Sequence, residues 1–168
     1  MPQIIDTTNL FNLRVKKTQG IQALPISTFV DEEFAKFFML KTLEGTGPVD
    51  IDKWLCIGAG GDCWMQSYDR LIAKYDQSTT LTDTFYYRFT PKPENEADAF
   101  FLSEDEVIKQ GFDSRAPMYI RGAWGETIDG VPNLQLIDVG DACLRNQTDH
   151  SDQWRVMRKF FDNTYSVL

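Results

Sequence analysis

One histidine and three cysteines are the residues best suited to nucleophilic or metal chemistry. Nucleophilic catalysis needs a Ser or Cys beside a histidine, with an acid to orient the ring. His150 instead sits in Asn146-Gln147-Thr148-Asp149-His150-Ser151, which reads as a solvated polar loop. Cys56, Cys63 and Cys143 could join His150 around zinc, but structural zinc sites use closely paired ligands and no CxxC spacing occurs. Cys56 and Cys63 flank a hairpin and would face each other only if their strand parity matches. Three reduced, buried thiols are the simpler reading. Asp52 with Asp62, or Asp141 with Asp152, are the candidate acid–base pairs. The acids lie at strand ends, Asp62 and Asp141 directly after glycine, where turn chemistry accounts for them. Gly58-Ala59-Gly60-Gly61 has neither the GxxxxGK pattern nor a GxGxxG ahead of a helix, so it reads as a hairpin turn. No catalytic residue, metal site or cofactor is expected.

Two kinds of charged surface are more suggestive. Trp154, Arg155, Arg158, Lys159 and Phe160 form the strongly basic window, with strand alternation putting Trp154 and Val156 inward and Arg155 outward. Such a patch grips an acidic partner, stacks bases, or is a solvated helix face. Asp31-Glu32-Glu33, Glu94 and Glu96, and Glu104-Asp105-Glu106 gather negative charge near two helices, where the helix dipole favours acids in any case. Sharing a face, they would imitate phosphates and occupy a DNA-binding protein. The candidate partner-binding residues are therefore Asp31, Glu32, Glu33, Glu94, Glu96, Glu104, Asp105, Arg155, Arg158 and Lys159. Trp54, Trp64 and Arg145 are candidates for the wall of a ligand cleft between two halves of the chain.

The elements that must carry these residues are short. Phe11 to Lys17 alternates as a strand. A helix is expected from Phe29 to Met39, capped by Thr28, with Val30, Phe34, Phe37 and Phe38 on one apolar face. Trp54 to Ile57 and Cys63 to Gln66 read as a hairpin, and Ser67 caps a helix on which Leu71, Ile72 and Tyr75 pack back. Tyr86 to Thr90 is a strand, and Ser103-Glu104-Asp105-Glu106 a capping box closed by Gly111. Strands follow over Met118 to Ile120, Ala123 to Ile128, Leu134 to Ile137, Ala142 to Arg145 and Gln153 to Val156, then a helix from Arg158 to Asn163.

Internal similarity organises this list. Trp64 to Tyr75 answers Trp154 to Tyr165, with the same 11-residue spacing. Thr42-Leu43-Glu44-Gly45 answers Thr127-Ile128-Asp129-Gly130, and Arg14-Val15-Lys16-Lys17 answers Arg88-Phe89-Thr90-Pro91-Lys92. The offsets are 74, 85 and 90 residues, growing along the chain. The expected architecture is α+β: two tandem pseudo-symmetric modules, residues 1–78 and 79–168, each a helix plus a small antiparallel sheet or partial barrel ending in a short helix. Gln77-Ser78-Thr79-Thr80 is the expected polar linker.

These segments resemble the small phage and prophage family called PGDYG. The residues that carry the resemblance are Thr42-Leu43-Glu44-Gly45, the strand pair around Asp52-Lys53-Trp54-Leu55, Gly61-Asp62-Cys63-Trp64 and Tyr75. In the second half they are Val139-Gly140-Asp141-Ala142 and Phe160-Phe161-Asp162-Asn163-Thr164-Tyr165. The likeness covers roughly residues 40–76 and 127–166. Ile51-Asp52-Lys53-Trp54 lacks the family's proline, and Ala142 replaces its aromatic. The resemblance implies a viral setting and a small α/β module, and assigns no activity.

Composition narrows the function. The 168 residues are 42% hydrophobic and 25% charged, a folded balance, and the 12 Phe, 6 Tyr and 4 Trp are expected mostly in cores. Seventeen basic against 25 acidic residues, a net charge of −8, argue against general nucleic-acid binding and against an anionic membrane surface. No apolar run is long enough for a membrane helix, and Met1 to Leu13 does not read as a signal peptide. The leading expectation is a bacteriophage-encoded, non-catalytic binding protein that inhibits a host factor, such as an anti-phage defence component, in the bacterial cytoplasm. The alternatives are a small-molecule or nucleotide-signal sponge using the cleft between halves, and a virion accessory protein.

Overall fold

The computed structural model describes residues 1–42, 45–81 and 85–168. In chain order the elements are β1 (Gln3–Ile4), β2 (Leu13–Lys17), β3 (Ile21–Pro25), a 3₁₀ turn (Ile26–Thr28), α1 (Glu32–Ala35), β4 (Met39–Thr42) and β5 (Gly45–Pro48). Then come β6 (Trp54–Ile57), β7 (Cys63–Gln66), α2 (Tyr68–Lys74), β8 (Tyr75–Leu81), β9 (Tyr87–Pro91) and β10 (Glu96–Phe101). The chain continues through α3 (Glu104–Lys109), β11 (Met118–Ile128), β12 (Val131–Ile137), β13 (Ala142–Arg145), β14 (Gln153–Val156), α4 (Arg158–Thr164) and β15 (Tyr165–Val167).

These elements form two compact units. Unit 1 contains Met1–Lys16 and Glu96–Leu168, with a short piece around Gly45; unit 2 contains Lys17–Thr42 and Thr46–Asn95. Unit 1 is built on a sheet of order β14-β13-β10-β2-β15 and a second sheet of order β1-β11-β12. The alternation of β10 sends Ala97 and Ala99 to one face and Phe100 to the other, and both faces are covered. Against the first face pack Val15, Ala142, Leu144, Val156 and Phe161, the last from α4. Against the second pack Ile5, Leu102, Val107, Met118, Ile120, Ile137 and Cys143. Helix α3 is anchored there. The Ser103 hydroxyl accepts from the Glu106 N–H, and Gly111 at φ +79° ends the helix. The Gly111 N–H reaches Ile108 O at 2.9 Å and the Phe112 N–H reaches Val107 O at 3.1 Å. That left-handed cap tucks Phe112 against the same core as Val107. The Glu106 carboxylate accepts from Gln110 Nε2 at 2.9 Å instead of returning to Ser103, so only half of the expected capping box forms. Asp129 and Gly130, both at positive φ, join β11 to β12.

Unit 2 has a sheet of order β7-β6-β3-β9-β8 and a two-stranded sheet, β4-β5. One face carries Ile21, Ala23, Cys56 and Phe89 under Leu71 and Tyr75, with Trp54, Trp64 and Tyr87 partly buried beside them. Trp54 stacks on Tyr68 of α2 at 5.1 Å and meets Phe89 edge-on at 5.7 Å. The opposite face holds a smaller cluster, Ile26, Val30 and Ala35, with Val49, Ile51, Leu55 and Met65 half-buried around it.

The α+β layout of two tandem modules does not hold. Among the described residues 46% are strand and 17% helix, in four sheets, so the protein is mostly β. The chain also does not fold half by half. Strand β2 lies ahead of β3 in sequence but sits between β10 and β15, whereas β9 lies ahead of β10 but sits between β3 and β8. The position between residues 78 and 79 falls inside β8, and Gln77-Ser78-Thr79-Thr80 is strand rather than linker. The helix expected over Phe29 to Met39 shrinks to one turn. Asp31, not Thr28, caps it, and Met39 already begins β4. Consecutive aromatics lose χ1 freedom in a helix, and no glycine stands ready to end one there. Of the segments that suggested repetition, Leu43 and Glu44 lie outside the described residues.

Candidate functional site

The unusual surface is in unit 2, around α1. Ile26, Val30 and Ala35 turn inward and are buried. Their neighbours in sequence therefore turn outward: Phe29, Phe34, Phe37, Phe38 and Met39 are 49%, 54%, 69%, 48% and 61% exposed. The backbone enforces this. Phe34 donates its N–H to the Asp31 carboxylate at 2.9 Å, while the Ala35 N–H reaches Asp31 O at 2.9 Å. The Phe37 N–H then bonds to Phe34 O and the Phe38 N–H to Ala35 O, a tightened last turn that carries both aromatics past the small core. Asp31, Glu32 and Glu33 are exposed on the first turn, and the Lys36 ammonium lies 5.1 Å from the Phe37 ring. Five large apolar side chains within 11 residues, edged by three carboxylates, make an apolar ridge with an acidic border.

This reverses the expectation that Phe34, Phe37 and Phe38 line a core with Val30; only Val30 does. The sequence signal that points outward is the run Phe37-Phe38-Met39 itself. Three consecutive large apolar residues cannot all face one side of a helix.

The other expected partner residues are divided between the units. Glu94 belongs with Asp31, Glu32 and Glu33 in unit 2, whereas Glu96, Glu104 and Asp105 are in unit 1. Glu96 pairs with Arg14 at 3.7 Å, and Glu104 accepts from the Ser114 hydroxyl at 2.6 Å. The basic window is largely occupied. Arg158 pairs with Asp162 at 2.8 Å and lies 4.1 Å from the Phe101 ring; Lys159 is exposed, 4.9 Å from the Phe160 ring. Arg155 does not point outward: its side chain is 7% exposed. It reaches Asp141 at 2.6 Å and Asp138 at 2.8 Å, and its N–H bonds to Gln135, whose amide donates to Trp124 O. Simple alternation fails at Arg155 because both faces of β14 are covered in unit 1, and a buried guanidinium is tolerable only with such partners.

Of the expected cleft residues, Trp54 and Trp64 are in unit 2 and Arg145 is in unit 1. Trp54 is packed as described, and the Trp64 indole N–H bonds to Gln66. Arg145 pairs with Asp98 at 2.9 Å and lies 4.1 Å from the Phe11 ring. Burial alone would raise the Asp98 carboxyl, but the hydrogen bond and charge of Arg145 hold it below the usual carboxylate value. His150 is exposed. Ile57 pairs with Cys63, so Cys56 and Cys63 face opposite ways. Burial pushes the Cys56 thiol up to about 12, and raises Cys143 as well, which makes both poor nucleophiles. Among the described residues no cluster of His, Cys, Asp and Glu could hold a metal ion, and no helix is long and apolar enough to cross a membrane.

The sequence matches no protein-family model, no curated protein and no solved structure.

Proposed function

We propose that this chain is a non-catalytic protein-binding module whose contact surface is the ridge Phe29, Phe34, Phe37, Phe38 and Met39. The observation that carries the reading is the exposure of these five side chains beside a small buried cluster, Ile26, Val30 and Ala35. Aromatic and methionine anchors with a polar border are the composition of protein interfaces. Contiguous apolar patches on an otherwise charged surface mark interaction sites. Asp31, Glu32 and Glu33 form that border and favour a partner with a basic margin. The PGDYG resemblance implies only a viral setting; within that setting the reading is of a phage-encoded protein that binds and inhibits a host factor in the bacterial cytoplasm.

The test is a paired comparison of the native protein with the double variant Phe34→Ser, Phe37→Ser. Both side chains are exposed, so the melting temperature should stay within about 2 °C of the native value. The native protein should recover a host protein and restore phage growth in a defended strain, and the variant should do neither. Equal recovery and equal phage growth for the two proteins would remove the ridge from the function. A native protein that recovers nothing and leaves phage growth unchanged would overturn the host-inhibitor reading.

A further inference from the structure

One strand of each half of the chain, β2 in the first and β9 in the second, carries an arginine at its second position and leaves its own half. β2 runs into β3 across only Thr18-Gln19-Gly20, yet its register is with β10: Arg14 opposite Asp98 and Val15 opposite Ala97. β9 runs into β10 across residues 92–95, yet its register is with β3 and β8: Phe89 stands opposite both Ile21 and Gln77. Each strand has neighbours on both sides, so removing it would leave two rows of backbone N–H and C=O groups without partners.

The two strands present the same pattern, Arg14-Val15 and Arg88-Phe89, and Val15 and Phe89 are both 0% exposed. They differ in size, and so do the helix residues they join. Val15 lies in one cluster with Phe161 of α4; Phe89 lies in one cluster with Leu71 of α2. Leu71 and Phe161 each stand seven residues after the matched tryptophan, Trp64 or Trp154. A large strand residue therefore meets a smaller helix residue in unit 2, and a small strand residue meets a large helix residue in unit 1. Close packing leaves little tolerance for exchanging them.

We propose that the gap between β10 and β15 and the gap between β3 and β8 are strand-acceptor sites. The first is filled by β2 from the first half of the chain and the second by β9 from the second half, and each selects its strand by side-chain size. The strands, rather than the peptide link near residues 82–84, hold the two halves of the chain in one particle. This inference does not depend on the host-binding reading.

The experiment uses the full chain with a protease site replacing Thr82-Asp83-Thr84, cut after folding. The two pieces should elute together at the native 19.3 kDa and separate only in denaturant. Pieces that part on dilution in native buffer would overturn the proposal. Size selection is read from Val15→Phe, which should lower the melting temperature by about 3–10 °C. Adding Phe161→Leu should restore at least half of that loss; a double variant no better than the single one removes the size rule. If Val15→Phe does not fold, Val15→Ala decides by hydrogen exchange. Protection should fall in residues 96–101 and 142–145 and hold in 21–25 and 54–57, and the opposite distribution would overturn strand donation.

Discussion

The two units build matching five-stranded sheets but cover the opposite faces of those sheets differently. On the helix-bearing faces they agree: α2 and α4 are each seven residues long, start after a strand that carries a tryptophan, and end at a tyrosine in extended conformation. On the opposite faces they part. Unit 1 closes that side with α3, the long β11–β12 hairpin and β1, burying eight apolar residues from Ile5 to Cys143. Unit 2 has a one-turn α1 and the short β4–β5 pair in the corresponding stretch of chain, and its buried cluster there is the smaller set Ile26, Val30 and Ala35. The aromatic residues that could have enlarged this second core stand outside it. The difference teaches that the apolar ridge is the uncompleted counterpart of a finished core, which is why the proposed binding surface falls in unit 2.

The contrast is broken most directly at Arg155. Its structural counterpart 90 residues earlier is Met65, half-buried and apolar. Arg155→Ala leaves Asp141 buried without its cation and should cost about 3–5 kcal/mol in urea denaturation. Met65→Ala strands no charge and should cost clearly less. Equal losses would show that the buried ion pair is not what distinguishes the second core of unit 1. A smaller effect is expected at Gly111, whose left-handed backbone closes α3 while α1 ends on Lys36 without any such device. Gly111→Ala should cost about 1–2 kcal/mol. An unchanged denaturation midpoint would show that the cap does not secure Phe112 and the core behind it.

The smallest effect is electrostatic. Across three adjacent strands unit 1 aligns Arg14, Asp98 and Arg145, where unit 2 aligns Arg88, Gln22 and Ile57. Because folding lowers the Asp98 value, the pair contributes stability above the unfolded carboxylate range near pH ~4. That contribution disappears as the pH falls through the lower folded value. Asp98→Asn should therefore lower the melting temperature at pH 7 and flatten its decline between about pH 5 and 3. Parallel native and variant curves would show that Arg145 gives Asp98 no net stabilisation. Gln22→Ala in unit 2 should leave the acid limb unchanged.

Much of the local structure is legible in the residues. Ser67 and Ser103 cap the helices that follow them, and Gly111 closes the second. The hairpin after Ile57 turns at its glycines. The matched Trp–Tyr spacing marks the same strand-to-helix passage in each unit. What could not be read is which surface each element meets. A period-two pattern shows that Val15 and Phe89 are buried, but not in which sheet. Strand alternation suggested an exposed Arg155, because the carboxylates that receive it come from the β12–β13 turn, 14 and 17 residues away in sequence. Helical periodicity placed Phe34, Phe37 and Phe38 inside, because it assumes that a helix continues and that a core is waiting.

The sequence by itself determined the Ser67 and Ser103 caps, the stop at Gly111, the glycine turn after Ile57 and the matched Trp–Tyr passages, since these rest on contacts within a few residues. The exchange of β2 and β9, the burial of Arg155 and the exposure of the aromatic ridge were decided only by the tertiary structure. Each depends on the volume and hydrogen-bonding groups offered by distant segments, and an alternating or helical pattern carries no record of them.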